Sequence, residues 1–467
     1  MTEEMNVQPK VYRILLLTNR DSDNVGDQVI EACDISLIST IMTNLGLSPE
    51  DFVINSRAAA IVSKQYVKTK DPELLATARS VIQECDLIIF GGAPVFNYLY
   101  QIFYERTAVT LELAKEYNKP VIFSAIGIEG YHEDNKKCQR LKETLNFDCV
   151  RQITTRDDFL SLEKYKGQDH ITIGRVSDPA VFTPKVFKNF FPPISEKAPA
   201  KGEAGRKKIG LFVLRANGFK DNGVKFSREE AAAMWKEIVQ ELEARGYDYE
   251  LLTSGHFGDE AFLDYLIRNY GIKEEKCVFN INFPERLLQH ISSYDGIISC
   301  RLHPSIIAFS FKIPSLGLIW NLKVKYFYEA IGHEDRLVNV KETTASEIVS
   351  RLEKVMDEGV NQNTDYMITV YNSLFSGIKN ILFPESSATP YSFDELNEKM
   401  VPFKGTSDTE KETKLKRKFR RTYEKYNDIW NKNMNYKNEL KKCPQKDVTL
   451  LSKVYSKSKH LLKKLLR

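Results

Sequence analysis

Short apolar runs alternate with amphipathic segments almost from the start of the chain. Runs at 11–18, 52–55, 86–90, 121–126 and 150–154 are too short for helices and rich in Val, Ile, Leu and Phe. That is the composition of strands buried on both faces. Between them, 26–44, 72–84, 98–117 and 136–145 carry apolar residues at helical spacing. Strand, helix, strand, helix in repetition predicts a parallel, doubly wound sheet.

The pattern breaks at Phe191-Pro192-Pro193-Ile194 and a following stretch of Lys, Glu, Gly, Ala and Pro, a linker composition. It then restarts. Strands are predicted at 209–214, 249–252, 277–280, 296–299, 315–319 and 336–340, and helices at 228–245, 260–270, 285–292, 304–311, 324–330 and 345–357. The expected fold class is α/β: two Rossmann-like domains, 1–190 and 208–385, in a GT-B-like arrangement across a linker at 191–207. The active site is expected in the cleft between them.

From 386 the character changes again. Residues 386–413 are polar and expected to be poorly ordered. Lys414-Leu415-Lys416-Arg417-Lys418-Phe419-Arg420-Arg421 is a basic run. At 450–467, Leu450, Leu451, Val454, Tyr455, Leu461, Leu462, Leu465 and Leu466 fall near helical spacing, with lysines on the other face. The tail at 386–467 is therefore read as basic and partly disordered, ending in an amphipathic helix.

Charge sharpens this division. Residues 401–467 hold 20 Lys and Arg against 7 Asp and Glu, an excess of thirteen positive charges. The first 400 residues hold 47 against 56, a net of −9. An anionic partner is expected for the tail and not for the body. An anionic membrane surface met through residues 414–467 fits best; nucleic acid is not expected, because the final helix is too apolar on one face. The chain has 467 residues, 42% of them hydrophobic and 28% charged, which is ordinary globular composition with room for two to three domains. It has no apolar run long enough to span a bilayer, and no secretory signal is read at its polar, acidic start. Seven cysteines without a CxxC pair argue against a disulfide framework or a zinc site. A cytoplasmic location is expected, with attachment at the inner face of the cell membrane, and no metal.

Candidate chemistry sits at the predicted strand ends. Cys300-Arg301-Leu302-His303-Pro304 follows the apolar run 294–299, and Lys323 follows the next strand. Ligands of open α/β sheets bind at that edge. Two cations and a titratable ring there suit a small polyanion handled by acid–base chemistry. Asn24-Val25-Gly26-Asp27 follows the first strand and reads either as a ligand-facing turn at a helix N-terminus or as simple capping. Gly91-Gly92 ends another strand, where it allows close backbone approach to a ligand or serves an ordinary tight turn. Arg156, read into the first turn of a helix capped by Thr155 and Asp158, sits where the helix dipole disfavours a cation. Gripping a carboxylate or phosphate would explain it, as would pairing with a neighbouring Asp. Asp178 and Arg215 are further candidates for the cleft.

These residues in this order resemble the polysaccharide pyruvyl transferase family over about residues 12–340. The resemblance rests on N-x-G-D at Asn24–Asp27, the glycine turn at Gly91-Gly92, R-D-x-x-S from Arg156 to Ser161, and R-L-H at Arg301–His303. The third glycine common in the family is Ala93 here. The resemblance implies transfer of a pyruvyl group from phosphoenolpyruvate onto a sugar, usually as a cyclic ketal, with a GT-B-like fold and no cofactor beyond the donor. It carries Arg156, Arg301, His303 and Lys323 onto donor-site and catalytic positions. The expected roles are His303 as proton donor, Arg156 and Arg301 on the donor's anionic groups, Lys323 at its phosphate, and Asp27 or Asp178 at the acceptor hydroxyl, with Asn24, Gly91, Gly92 and Arg215 lining the site. The acceptor is expected to be a sugar of a cell-surface polysaccharide or its lipid-linked precursor. The competing expectation is a GT-B glycosyltransferase using a nucleotide sugar.

Overall fold

The computed structural model describes residues 10–98, 103–191 and 205–442. They fall into two compact units, Met1–Gly405 and Thr406–Arg467. The first unit holds two six-stranded parallel sheets. The first sheet is built from β1 (Tyr12–Thr18), β2 (Phe52–Ala58), β3 (Leu87–Gly91), β4 (Val121–Ile126), β5 (Val150–Thr155) and β6 (Thr172–Arg175), in the order β2-β1-β3-β4-β5-β6. The second contains β7 (Lys208–Phe212), β8 (Asp248–Leu252), β9 (Cys277–Val278), β10 (Gly296–Ser299), β11 (Ser315–Leu318) and β12 (Leu337–Val338), in the order β12-β11-β10-β7-β8-β9.

The fully buried inner strands are short apolar runs. Every residue of β3, β4, β10 and β11 is buried, as strands covered by helices on both faces must be. The strand order reverses between β1 and β3 and again between β10 and β7. Each reversal opens a crevice outside the carboxyl ends of the strands, where such folds take ligands.

The two Rossmann-like halves are not separated by an open groove throughout. One apolar cluster runs through both: Val25 and Val29 of the first helix, Val25–Asn44, share it with Phe212, Leu252 and Ile281, and Val181 and Phe182 share it with Ile306 and Ile307. The functional edge therefore lies at the rim of a packed interface.

Two expectations need correction. The second domain was expected to run to 385, but helix Thr369–Leu382 packs on the first sheet. Gln152 Nε2 of β5 donates to Ser373 O at 3.0 Å, and Ser177 Oγ donates to Met367 O at 2.8 Å. The first part of the tail was expected to be poorly ordered. Instead it carries helix Phe393–Lys399, whose Leu396 is buried along with Met400, while Phe403 packs on Phe187 with ring centroids 5.0 Å apart. A few well-placed apolar side chains suffice to order a polar segment. Most of the linker, 192–204, and the amphipathic helix expected at 450–467 lie outside the described residues. The second unit contains helix Asp408–Lys442, 35 residues long. No described helix is long and apolar enough to cross a membrane.

Candidate active site

Asn24 is the N-cap residue of helix Val25–Asn44, in extended conformation, but its side chain makes no capping bond. It points instead to the second domain, with Nδ2 at 3.3 Å from His303 Nδ1. Asp27, one turn on, accepts from Asn19 Nδ2 at 2.8 Å and lies 3.8 Å from the same imidazole nitrogen. Gly26 is explained by the ring as well: a Cβ there would sit 2.3 Å from His303 Nδ1. Val25 N donates to Ser254 O at 2.7 Å, which fastens the two domains beside this contact. The N-x-G-D segment is thus a seat for His303, not a self-contained helix cap.

His303 occupies the first turn of helix Leu302–Ser310, with Arg301 as N-cap residue. Ser299 Oγ donates to Arg301 O at 2.7 Å and accepts from Arg301 N at 2.9 Å, which fixes the turn out of β10. The imidazole is only 7% exposed, and Nε2 is buried with no hydrogen-bond partner among the described residues. With the Asn24 amide oriented as described, Nδ1 is the acceptor and the ring proton belongs on Nε2. Burial, with Arg156, Lys323 and Arg301 nearby, pushes the His303 pKa well below its ordinary 6.5. Asp27 shifts the other way. Burial raises its pKa to about 6, against the opposing effect of its Ser22 and Asn19 hydrogen bonds and of Arg156 and Lys323.

The first domain supplies Arg156 at the end of β5. The expected capping box is not formed: Asp158 caps helix Phe159–Tyr165 by accepting from Ser161 N at 3.0 Å, so Arg156 lies in the preceding loop and not in the first helical turn. It is buried and ion-paired with Asp178, and its Nε lies 3.9 Å from Asp157 without a hydrogen bond. Burial works against the charge, but Asp178, Asp157 and Asp27 outweigh it and hold the guanidinium above its ordinary range. Asp178 also accepts from Ala180 N at 2.8 Å. Its carboxylate serves Arg156 and its own turn, a different position from the acceptor-side role expected for it.

Lys323 lies in the first turn of helix Leu322–Ala330 and crosses to the first domain. Its Nζ is 3.9 Å from Asp157 Oδ2 and 3.0 Å from where a Cβ on Gly127 would sit. Arg301 turns its Nε to Asp259 Oδ2 at 2.8 Å. Arg215 meets the other oxygen of that carboxylate, with Nη1 at 3.3 Å from Oδ1 and 3.2 Å from His256 Nδ1. One fully buried aspartate therefore holds two cleft arginines. Asp259 was missed in the sequence; an acidic residue in the first turn of a helix is too common to stand out.

Gly91 and Gly92 do not join the cluster. A Cβ on Gly91 would meet Asp34 Oδ2 at 2.2 Å, and one on Gly92, whose φ is +53°, would meet Ile30 Cγ2 at 2.2 Å. Both glycines are explained by close packing of helix Val25–Asn44 on the sheet, not by approach of a ligand. Asp34, so packed, is buried without a hydrogen bond among the described residues, and burial raises its pKa far above the usual carboxylate range. Among the described residues no three His, Cys, Asp or Glu are grouped to hold a metal ion.

The arrangement is a neutral, sequestered imidazole among three cations drawn from both domains, with a carboxyl group of raised pKa behind it. It can bind a small polyanion and move one proton. No curated protein matches the chain in sequence. A solved structure from Listeria monocytogenes assigned as a UDP-N-acetylglucosamine 2-epimerase superposes with a TM-score of 0.50 at 13% identity, covering 82% of this chain and 99% of that one. The UDP-GlcNAc 2-epimerase of Methanocaldococcus jannaschii gives 0.49 at 12% identity, covering 78% and 98%. At such identities the likeness concerns the fold alone, and the first of them agrees with two Rossmann-like domains in a GT-B-like arrangement. The sequence model of the family described as polysaccharide pyruvyl transferase matches residues 11–321, about two thirds of the chain and every residue of the cluster except Lys323. The chain belongs to the polysaccharide pyruvyl transferase family, and it is an enzyme.

Proposed function

We propose that the protein transfers the pyruvyl group of phosphoenolpyruvate to a sugar of a cell-surface polysaccharide or its lipid-linked precursor, forming a ketal. The observation that carries this reading is the buried, unpartnered Nε2 of His303 among Arg156, Arg301 and Lys323. Phosphoenolpyruvate bears a carboxylate and a phosphate close together, and charge-assisted bonds to such groups contribute about 1.5–3 kcal/mol each.

Burial and three cations oppose a further positive charge and hold His303 neutral. A bound polyanion reverses the local field and raises the ring's proton affinity. The added proton goes to Nδ1. Asn24 then turns its Oδ1, which has no partner, toward that nitrogen, and ionised Asp27 lies 3.8 Å away. Nε2–H delivers its proton to the methylene carbon of the donor. The cationic carbon that forms takes a sugar hydroxyl, the phosphate leaves, and a second hydroxyl closes the ketal, the two hydroxyl protons leaving with the phosphate or the solvent. A positioned general acid contributes about 10²–10⁴-fold. Arg301, oriented by Asp259, and Arg156, oriented by Asp178, grip the anionic groups; Lys323 follows the phosphate.

Incubation of the purified protein with phosphoenolpyruvate and a panel of free and lipid-linked sugars tests this. Phosphate release coupled to a pyruvylated product, lost in His303→Ala, is the expected outcome. Nucleotide release from a sugar nucleotide, with phosphoenolpyruvate inert, would establish the glycosyltransferase reading instead.

A further inference from the structure

Helix Asp408–Lys442 exposes a stripe of large apolar side chains. Phe419, Tyr423, Trp430 and Met434 are 56%, 63%, 44% and 38% exposed, four of the ten large hydrophobic side chains that the described residues leave in solvent. Their spacings of four, seven and four residues place them within about 60° of one another around the helix, along about 22 Å of its length. This concentration is not scatter. Between Lys414 and Lys437 nine Lys and Arg accompany only two acidic residues, Glu424 and Asp428. Lys416 and Arg420 are exposed beside the stripe.

We infer that this helix lies in the interfacial plane of an anionic bilayer, with Phe419, Tyr423, Trp430 and Met434 among the acyl chains and its cations at the lipid headgroups. An apolar face with Trp and Phe, flanked by Lys and Arg, is the pattern of a helix that rests in that plane. The strong positive excess complements phosphate-bearing lipids. Phe419 and Tyr423 lie with ring centroids 6.5 Å apart at 23°, and Tyr426 and Trp430 6.3 Å apart at 29°, so the rings run together as an apolar ridge. Met434, which completes the stripe, offers no ring for a base to stack on. This placement stands apart from the chemistry of the active site and holds whether or not the donor is phosphoenolpyruvate.

The test is flotation of the full-length protein with vesicles of phosphatidylcholine alone and with phosphatidylglycerol added. Alongside the natural chain go a Phe419→Ser/Tyr423→Ser/Trp430→Ser/Met434→Ser variant, an Arg420→Glu variant and a chain ending at 442. Binding only to the anionic vesicles is expected, about tenfold or more weaker in the stripe variant and in Arg420→Glu, and retained in part by the chain ending at 442. Quenching of Trp430 fluorescence by brominated lipid, measured in a Trp235→Phe/Trp320→Phe background, reads insertion directly. Unchanged binding in the stripe variant with loss on truncation would assign the membrane contact to 443–467 and overturn the proposal. So would a stripe that mediates dimerisation without vesicle binding, or one that binds oligonucleotide in preference to lipid.

Discussion

Asp27 and His303 are driven in opposite directions by one cause, burial at the domain seam, which raises the carboxyl pKa to about 6 and holds the imidazole neutral. For Asp27 the consequence for stability has a definite sign. Folded, it keeps its proton up to about pH 6; unfolded, it releases it near 3.8. The stability that the protonated form confers is complete below about pH 4, falls as pH rises to 6, and stays lowered above. About two pKa units correspond to a loss on the order of 3 kcal/mol. Asp27→Asn removes that penalty. Its melting temperature is expected to rise at pH 7 and to match the natural protein near pH 4, while turnover falls about 10²-fold or more. A variant less stable at pH 7 would show that Asp27 is ionised at no cost, held by partners stronger than burial. The candidate residues of this site were legible from their places at strand ends, and N-x-G-D was visible as a motif. What it does was not: capping and ligand binding share the same residue types, and only the position of a ring 279 residues beyond Asn24 decides that Gly26 must lack a side chain.

At the scale of elements, the strands were legible where burial on both faces leaves an unbroken apolar run, as in β3, β4 and β10. β6 was not, because Thr172–Arg175 is an edge strand with no buried residue and no apolar signature. The same blindness hid Asp259, which does its work through the ends of three elements. Helix Phe257–Tyr270 brings it beneath Arg215, after β7, and Arg301, after β10, and its backbone link to Arg215 N at 3.2 Å completes the joint. Asp259→Ala would free two guanidiniums at once. Removing one partner of a buried ion pair costs about 3–5 kcal/mol, and the lower end is expected because Arg215 keeps 34% of its side chain in solvent. The proposed donor site should suffer through orientation more than through chemistry. KM for phosphoenolpyruvate is expected to rise about tenfold or more with a smaller change in kcat, and Asp259→Asn, which keeps an acceptor oxygen, to recover part of it. An unchanged KM in Asp259→Ala would mean that Arg301 is placed without it.

For the first unit as a whole, the alternation of strands and helices predicted two domains but could not say which apolar faces meet, since a buried position reads the same whether its partner lies in its own domain or the other. The linker composition at 191–207 marked a boundary between two domains. The structure joins them through one apolar cluster, the Val25–Ser254 backbone bond and the return of helix Thr369–Leu382 to the first sheet. Exposing either half would strip the other of its cover. The two Rossmann-like halves are therefore expected to unfold in a single calorimetric transition. On the proposed reading, donor binding would add to the same cooperative unit, because Arg156 comes from one half and Arg301, His303 and Lys323 from the other. Phosphoenolpyruvate at a hundred times its dissociation constant should contribute about 2.7 kcal/mol and move the whole transition upward without splitting it. Arg156→Met should abolish the shift even though every second-domain ligand remains. Two transitions, only one of them moved by the donor, would place the binding site within a single domain and undo the assignment of a shared one.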